Sequence, residues 1–390
     1  MSAEPSIYLD YHATTPCDPR VVEAMLPYFR QEFGNPSSAT HRAGRVSAQA
    51  VDRAREQVAA LIHAQPREIV FTSGATESNN LAILGLAHGT TDRRRIITSA
   101  VEHKAVLQPC VRLRQMGFDV TVLPVDSTGK VDLGSARAAI TDETLLVSIQ
   151  AASNEIGTIQ DLPKIADWAH EHGAFIHTDA AQAVGKIPVD VDEWDVDLLS
   201  ISAHKLYGPK GVGALYVRGG PYALPLEPLV YGGGQEHELR PGTLNVPGIV
   251  GLGRACELCL DELPEESGRV AALRDLLESL LMSCIPDLRR NGALESRLPG
   301  NSSLTFVNLD ADAVIAHAPD LALSTGSACT SGALEPSHVL QAIGLSRRDA
   351  YSTIRIGLGR FTTEDEVRNA ASSITQAVEA VRALAQIGGE

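Results

Sequence analysis

The stretch Ser200-Ile-Ser-Ala-His-Lys-Leu-Tyr-Gly-Pro-Lys-Gly211 continues a short apolar run, 196–201, that predicts a buried strand. At the carboxyl end of this strand a hydroxyl, an imidazole and an amine stand close together, on Ser202, His204 and Lys205. A lysine placed there can form a Schiff base with an aldehyde cofactor, while the hydroxyl and the imidazole can bind its phosphate. A solvated boundary between strand and loop is an equally good interpretation of this stretch taken alone.

Apolar runs rich in β-branched residues alternate with helical periodicity along this part of the chain. The alternation is typical of βαβ units and predicts an α/β fold, with a mainly parallel sheet of seven strands between helices. The predicted strands are Ile69–Phe71, Arg95–Thr98, Val120–Leu123, Leu145–Ile149, Ala174–His177, Leu198–Ile201 and Gly213–Val217.

Five of these strands run into polar segments. The segments are 72–78, 102–104, 154–155, 179–182 and the stretch that carries Lys205. Ligands of open α/β sheets bind at the carboxyl ends of the strands. Solvation alone explains five such endings poorly, so we expect their side chains to meet at one site.

Two of these segments suit a ligand with a phosphate and a pyridine ring. Gly74-Ala-Thr76 follows a strand and opens a helix, where backbone N–H groups and the Thr76 hydroxyl can hold a phosphate. The segment is neither a Walker loop nor a Gly-x-Gly-x-x-Gly motif. Asp179 ends an apolar strand and needs a cation there, such as a protonated pyridine nitrogen. Capping of the next helix explains each segment about as well.

Other polar side chains extend this candidate site. Gln182 and Asn154 could each reach a ring oxygen, and a neutral His103 could stack on an aromatic ring and relay protons. A surface histidine is the ordinary alternative for His103. Arg355 lies inside an apolar strand, 352–358, which predicts a bidentate contact with a carboxylate of an amino-acid substrate or of the protein.

The cysteines fall into two groups. Cys329 lies among small residues, 324–333, and this setting favours a reactive thiol over a bystander, because structural cysteines prefer apolar packing. Cys256 and Cys259 have CxxC spacing on a predicted helix without a second pair downstream, which indicates core packing rather than zinc or redox chemistry. The scattered set of six cysteines is not typical of a disulfide framework.

Composition excludes several classes of function. The net charge of −15 argues against a surface that binds nucleic acid directly. The sequence has no apolar run of eighteen residues, and residues 1–6 have neither the basic nor the apolar region of a signal peptide, so we expect a cytoplasmic protein without a membrane span. Only six of its 33 basic residues are lysines, which leaves few candidates for a reactive amine.

The pattern changes after the seventh predicted strand. A helix over 246–263 leads to Pro264–Gly268, which predicts a hinge, and the remainder predicts a smaller α/β domain. Its last helix begins with a capping box formed by Thr363 and Glu366. We expect an N-terminal arm, 1–18, that packs with the small domain, a large cofactor-binding domain, 19–263, and a small C-terminal domain, 264–390, that carries Cys329.

Taken together, these segments resemble the cysteine desulfurases of the NifS/IscS type, which belong to the class V aminotransferase family of fold-type I pyridoxal-phosphate enzymes. The resemblance covers nearly the whole chain. The segments that carry it are Tyr8–Pro16, Phe71–Ser78, Glu102–Lys104, Asn154–Gly157, His204–Gly211, Gly326–Thr330 and Arg355.

The resemblance implies a role for each candidate residue. Pyridoxal 5'-phosphate would form a Schiff base with Lys205, and His103 would stack on its ring. Asp179 would contact the pyridine nitrogen, and Gln182 and Asn154 the hydroxyl side of the ring. The residues implied to bind the phosphate are Ala75, Thr76, Ser202, His204 and, from a second subunit, Thr243. Arg355 and Asn154 would bind the substrate carboxylate.

The implied reaction removes sulfur from L-cysteine, releases L-alanine and leaves a persulfide on Cys329, in a homodimer that needs no metal. Protein acceptors would take this sulfur for iron–sulfur cluster assembly or for thiolation of tRNA, cofactors or DNA. Two alternatives stay open: an aminotransferase or β-lyase in which Cys329 is a spectator, and a cofactor-free scaffold that binds sulfur-trafficking partners.

Overall fold

The computed structural model describes residues 7–90, 92–325 and 335–387. Its strands are β1 (Ile7–Tyr8), β2 (Ile69–Thr72), β3 (Arg95–Ser99), β4 (Asp119–Leu123), β5 (Thr144–Ser148), β6 (Phe175–Asp179), β7 (Leu198–Ser202), β8 (Gly213–Val217), β9 (Leu288–Arg290), β10 (Asn301–Phe306), β11 (Leu321–Ala322), β12 (Ser324–Thr325) and β13 (Thr353–Gly357).

The α-helices alternate with these strands in the first two thirds of the chain. They are α1 (Pro19–Met25), α2 (Pro27–Arg30), α3 (Arg42–Leu61), α4 (Ala75–Asn80), α5 (Leu86–Gly89), α6 (Lys104–Gln115), α7 (Leu133–Ala139), α8 (Leu162–Glu171), α9 (Val246–Cys284), α10 (Ala311–Ala316), α11 (His338–Ala342), α12 (Arg347–Tyr351) and α13 (Glu364–Ile387). A π-helical stretch, Leu81–Gly85, joins α4 to α5. No helix in the described ranges is long and apolar enough to cross a membrane.

All seven predicted strands form one sheet, in the order β2-β8-β7-β6-β5-β3-β4. Every neighbouring pair is parallel except the two that include β8. The prediction of a mainly parallel sheet is therefore confirmed. The antiparallel β8 follows from its short connection, because residues 203–212 contain no crossover helix and a parallel return needs a dozen residues or more.

A smaller antiparallel sheet, in the order β12-β13-β10-β9, lies in the C-terminal part of the chain. It has an apolar core of its own, built with α13 and the second half of α9. The first described residues reach this region, since β1 pairs with β11 and Asp10 bridges to Gly357. The capping box is confirmed, because the Glu366 carboxylate accepts from the Thr363 N–H at 2.8 Å and the Thr363 hydroxyl accepts from the Glu366 N–H.

The predicted hinge at Pro264–Gly268 is wrong, because α9 runs through it without a break. A proline inside a helix costs about 3 kcal/mol. Packing on both sides offsets this cost: Leu252, Cys256 and Cys259 are buried in the core of the large sheet, and Leu273, Leu277 and Leu281 in the C-terminal core. This burial also confirms the helical packing role of the two CxxC cysteines. The division of the chain at 263/264 stays a prediction.

Candidate active site

One cavity of about 430 Å³ lies at the carboxyl edge of the large sheet. Its wall takes side chains from the ends of β2, β3, β5, β6 and β7, so the prediction that the five polar endings meet at one site is confirmed. The predicted residues in this wall are Ala75, Thr76, His103, Asn154, Asp179, Gln182, Ser202, His204 and Lys205.

The turn before α4 depends on two closely packed glycines. Gly74 has a φ of +147°, a conformation that side chains disfavour. Gly213, at the start of β8, lies against it: a Cβ there would be 2.6 Å from the Gly74 Cα and 2.4 Å from the Ile201 carbonyl oxygen. Glycine at both positions therefore allows β8 to approach the turn. Ala75 and Thr76 begin the helix here, beside Ser202.

Lys205 lies in a short 3₁₀ turn, Ala203–Lys205, directly after β7. Its amine donates hydrogen bonds to the carbonyl oxygens of His12 and Ala13, at 2.5 and 2.7 Å. The N-terminal arm is held in place by the same turn, because the Thr15 N–H donates to the His204 carbonyl oxygen at 2.9 Å. The arm thus supplies part of the wall around the amine.

Asp179 is buried at the end of β6, and each of its carboxylate oxygens accepts a hydrogen bond. Oδ2 accepts from the Asn79 amide at 2.7 Å and Oδ1 from the Ala181 N–H at 3.0 Å. Sequence reasoning missed Asn79, which lines the cavity and is fully buried. Its spacing of three from Thr76 places both residues on one face of α4, and this was a usable signal.

His103 caps α6, and its Nδ1 accepts from the Ala105 N–H at 3.0 Å. Burial is the main cause that lowers the pKa of this imidazole, so it is neutral near pH 7 and its proton sits on Nε2. The preceding residue, Glu102, is buried and accepts from Ser99 at 2.6 Å and from the Gln150 N–H at 2.9 Å. Burial raises the pKa of Glu102 to about 8.

His204 is also a neutral imidazole. Burial, followed by the charges of Lys205 and Lys210, lowers its pKa to about 4. Its Nδ1 lies 3.0 Å from the Thr14 hydroxyl in the arm. At neutral pH the His204 imidazole can donate a hydrogen bond to an anion, but it carries no positive charge.

Gln182 contacts a residue that sequence reasoning did not assign to the site. Its Nε2 donates to the His12 carbonyl oxygen at 3.0 Å, and its Oε1 lies 3.1 Å from the His12 Nδ1. His12 is buried and lines the cavity. Burial of a polar side chain in a turn-rich arm has no local sequence signature, because the partner is 170 residues away.

Among the described residues, two predicted ones, Arg355 and Thr243, are not in this wall. Arg355 is 1% exposed and forms an ion pair with Asp10 at 2.8 Å, while its Nη1 donates to the Asn154 carbonyl oxygen at 3.3 Å. Within the described residues its Nε–H has no hydrogen-bond partner. Thr243 is exposed at the protein surface. Cys329 lies outside the described residues.

The described part of the chain has no cluster of three or more His, Cys, Asp or Glu side chains placed to hold a metal ion. The cavity is lined by the amines of Lys205 and Lys210, the carboxylates of Asp179 and Glu77, neutral imidazoles and amides. This donor set favours a ligand that has an electrophilic carbon, a basic ring nitrogen and an anionic group.

Residues 7–369 match the sequence model of the family described as aminotransferase class-V. The chain belongs to the class V aminotransferase family. Among the relatives of this family member is "Cysteine desulfurase IscS" of Rickettsia rickettsii (strain Iowa), 48% identical over 382 residues, which span 98% of this chain and 93% of the relative.

Solved structures agree with this placement. The structure of a "NifS-like protein" aligns with a TM-score of 0.89 and 39% identity, over 96% of this chain and 99% of that chain. A structure titled "SspA in complex with cysteine" aligns with a TM-score of 0.82 and 41% identity, over 91% and 99%. The fold-type I architecture expected from the sequence is thereby confirmed.

Proposed function

We propose that this chain is a cysteine desulfurase that uses pyridoxal 5'-phosphate to convert L-cysteine to L-alanine and an enzyme persulfide. The observation that carries the proposal is the position of the Lys205 amine, which lies directly after β7 in the same cavity wall as the buried carboxylate of Asp179. The similarity to IscS proteins over nearly the full chain supports cysteine as the substrate.

The cavity fits this cofactor. Lys205 would hold its aldehyde carbon, Asp179 its protonated ring nitrogen and His103 the face of its ring. The N–H groups at the start of α4, with Thr76, Ser202 and His204, would hold its phosphate. Asn79 donates to Asp179 at 2.7 Å and thereby keeps the carboxylate oriented. When bound, pyridoxal phosphate supplies an electron sink for a negative charge at the substrate Cα.

Residues of the chain supply the base, the hydrogen bonds and the carboxylate site that the reaction needs. The Lys205 amine is the base that removes the Cα proton and returns it. His103, with Nδ1 occupied by the Ala105 N–H, holds its single proton on Nε2 and, as a neutral imidazole, can offer this N–H as a hydrogen bond to a bound molecule. Arg355 and Asn154 would bind the substrate carboxylate, for which the Asp10–Arg355 pair has to rearrange.

Cys329 would take the sulfur. Its thiolate attacks the substrate sulfur, an S–S bond forms, the Cβ–S bond breaks, and Cβ gains a proton to give alanine. An unperturbed thiol has a pKa of ~8.5, so a lowered pKa would favour this step. The persulfide would pass to protein acceptors that serve iron–sulfur clusters or the thiolation of tRNA, cofactors or DNA.

We further propose a cytoplasmic homodimer in which Thr243 of one subunit completes the phosphate site of the other. Thr243 is exposed and lies in a loop region, 219–245, whose large apolar side chains Tyr222, Val230 and Tyr231 are also exposed. A second copy of the chain would cover them. The acidic surface favours protein acceptors over direct contact with nucleic acid.

The test uses the cofactor-loaded protein and L-cysteine without added thiol. Alanine is quantified, and peptide mass spectrometry after alkylation shows which cysteine carries an extra sulfur. The wild type is expected to form alanine in step with a persulfide on Cys329. Cys329→Ala should keep the visible cofactor band and lose alanine formation, whereas Cys284→Ala, at an exposed cysteine, serves as the control. Full turnover of Cys329→Ala with release of free sulfide would instead support a β-lyase.

A further inference from the structure

Lys186 is a lysine that none of the assigned roles uses. It follows Gly185, whose φ of +75° turns the chain back after β6, and its amine donates to the Gln182 Oε1 at 2.6 Å. Lys186 does not line the large cavity but lines a second one, of about 20 Å³, together with His12. It therefore contacts Gln182 from behind the wall of the large cavity.

Three contacts act on the Gln182 carboxamide. The Lys186 amine and the His12 Nδ1 both meet Oε1, at 2.6 and 3.1 Å, and the His12 carbonyl oxygen meets Nε2 at 3.0 Å. A carbonyl oxygen can only accept, and an ammonium group can only donate. A flipped amide would place oxygen against the His12 carbonyl oxygen and N–H groups against the Lys186 ammonium, so both neighbours enforce the same orientation while Lys186 is protonated.

This orientation determines what Gln182 offers to the large cavity. An amide nitrogen carries two N–H donors. In the described part of the chain one of them is used by the His12 carbonyl oxygen, and the other is left for a ligand. With Oε1 occupied by two donors, the side chain presents a donor rather than an acceptor to a bound molecule.

We propose that Lys186 is a positioning residue, which fixes the Gln182 carboxamide so that it donates an N–H to an oxygen of the bound cofactor. The inference rests on the proposed function, since that function supplies the oxygen as the phenolic oxygen of pyridoxal phosphate. The burial of the amine, with the charges of Lys205 and Arg355, lowers the pKa of Lys186 to about 7. In either protonation state the amine has a hydrogen to donate.

The test compares two uncharged substitutions, Lys186→Met, which cannot donate, and Lys186→Gln, which can. Apoprotein is titrated with pyridoxal phosphate by visible absorbance and tryptophan fluorescence, and the pH midpoint of the visible band is measured on the loaded protein. Loss of a hydrogen bond of this kind is expected to weaken cofactor affinity roughly tenfold and to raise the midpoint in Lys186→Met. Lys186→Gln should stay near the wild type, as should the exposed control Lys164→Met.

A double-mutant cycle separates positioning from a direct effect. If Lys186 acts through Gln182, then Gln182→Leu with Lys186→Met will bind no more weakly than Gln182→Leu alone. Additive losses, or a Lys186→Gln protein that behaves like Lys186→Met, would overturn the proposal, because the charge itself would then be responsible. Should Lys186→Met fail to fold, Lys186→Ala, which also cannot donate, takes its place in both comparisons.

The proposed function and this inference fail in different ways. A wild type that binds no pyridoxal phosphate contradicts the function. A wild type that binds the cofactor, together with a Lys186→Met protein of equal affinity and equal pH midpoint, contradicts only the role of Lys186.

Discussion

Lys205 and Arg355 are two basic side chains in two different regions of the molecule. Lys205 comes after the end of a strand in the large sheet and lies in the wall of the cavity, where backbone carbonyl oxygens accept from its amine. Arg355 lies in the middle of β13 in the small sheet, 1% exposed, and is paired with the carboxylate of Asp10. The first region is already shaped for a ligand, whereas the second is closed by a contact within the protein.

The difference follows from topology. The end of a parallel strand opens onto the edge where other strand ends meet, so its polar side chains face a shared space. β13 lies between β12 and β10 and is buried along its whole length, so a charge in its middle has to be paired. We therefore expect substitutions in the first region to affect cofactor binding, and substitutions in the second to affect substrate binding and stability.

The largest effect is expected from Lys205→Ala. This substitution removes both the covalent attachment point and the base, so alanine formation should fall by at least roughly 10³-fold. Freshly purified protein should also lack the visible band of the attached cofactor. Lys210→Ala, at a lysine that borders the same cavity, is the comparison. An unchanged band in Lys205→Ala would mean that the first region is not the attachment site.

A smaller effect, confined to the use of the substrate, is expected from Arg355→Lys. The substitution keeps the charge but loses the bidentate fork, so kcat/KM for cysteine should fall roughly 30- to 100-fold. Cofactor affinity should stay as in the wild type, because Arg355 is not in the cavity wall. Arg368→Lys, at an exposed arginine, is the control. Equal losses of cofactor affinity and substrate affinity would contradict the claim that the Arg355 region affects substrate binding alone.

Asp10→Asn tests the ion pair between Asp10 and Arg355. It leaves the buried Arg355 without its carboxylate, which should lower the free energy of unfolding by about 1.5–3 kcal/mol, the worth of a hydrogen bond to a charged group. A ligand carboxylate should restore part of this loss, so added L-alanine is expected to raise the Tm of Asp10→Asn protein more than that of the wild type. Equal shifts in both proteins would show that ligand and Asp10 do not compete for Arg355.

An effect that depends on pH is expected at Glu155, which lies where the two regions meet. Its carboxylate accepts from the Ser337 hydroxyl at 2.5 Å, and burial raises its pKa to about 7. A raised folded pKa stabilises the protein below the unfolded pKa of 4.5, and this contribution is lost as the pH rises through 7.

Glu155→Gln removes this titration. Its free energy of unfolding, relative to the wild type, should therefore increase between pH 5 and pH 8, by at most about 3 kcal/mol, since a tenfold change in proton affinity is worth about 1.4 kcal/mol. Denaturant unfolding of both proteins at several pH values measures this difference in the free energy of unfolding. A difference that does not depend on pH would show that burial does not raise the pKa of Glu155.

Local sequence patterns predicted the large sheet well, because alternating strands and helices and the polar strand ends are short-range features. The direction of β8 depends on the short length of the connection 203–212, which the alternation of strands and helices does not reveal. Local patterns do not predict contacts between distant segments of the chain. The pairing of Asp10 with Arg355, for example, requires the bridge between Asp10 and Gly357. The continuity of α9 depends on two separate cores that no window around Pro264 contains.

The central claim is that one particular amine holds the cofactor, and the chain offers a strong competitor in Lys186, whose pKa is lowered to about 7. The most direct measurement is borohydride reduction of the cofactor-loaded protein, followed by peptide mapping of the pyridoxyl group. We predict a single modified position, Lys205. A pyridoxyl group on Lys186 or Lys210, or no modified peptide from a protein saturated with pyridoxal phosphate, would contradict the account.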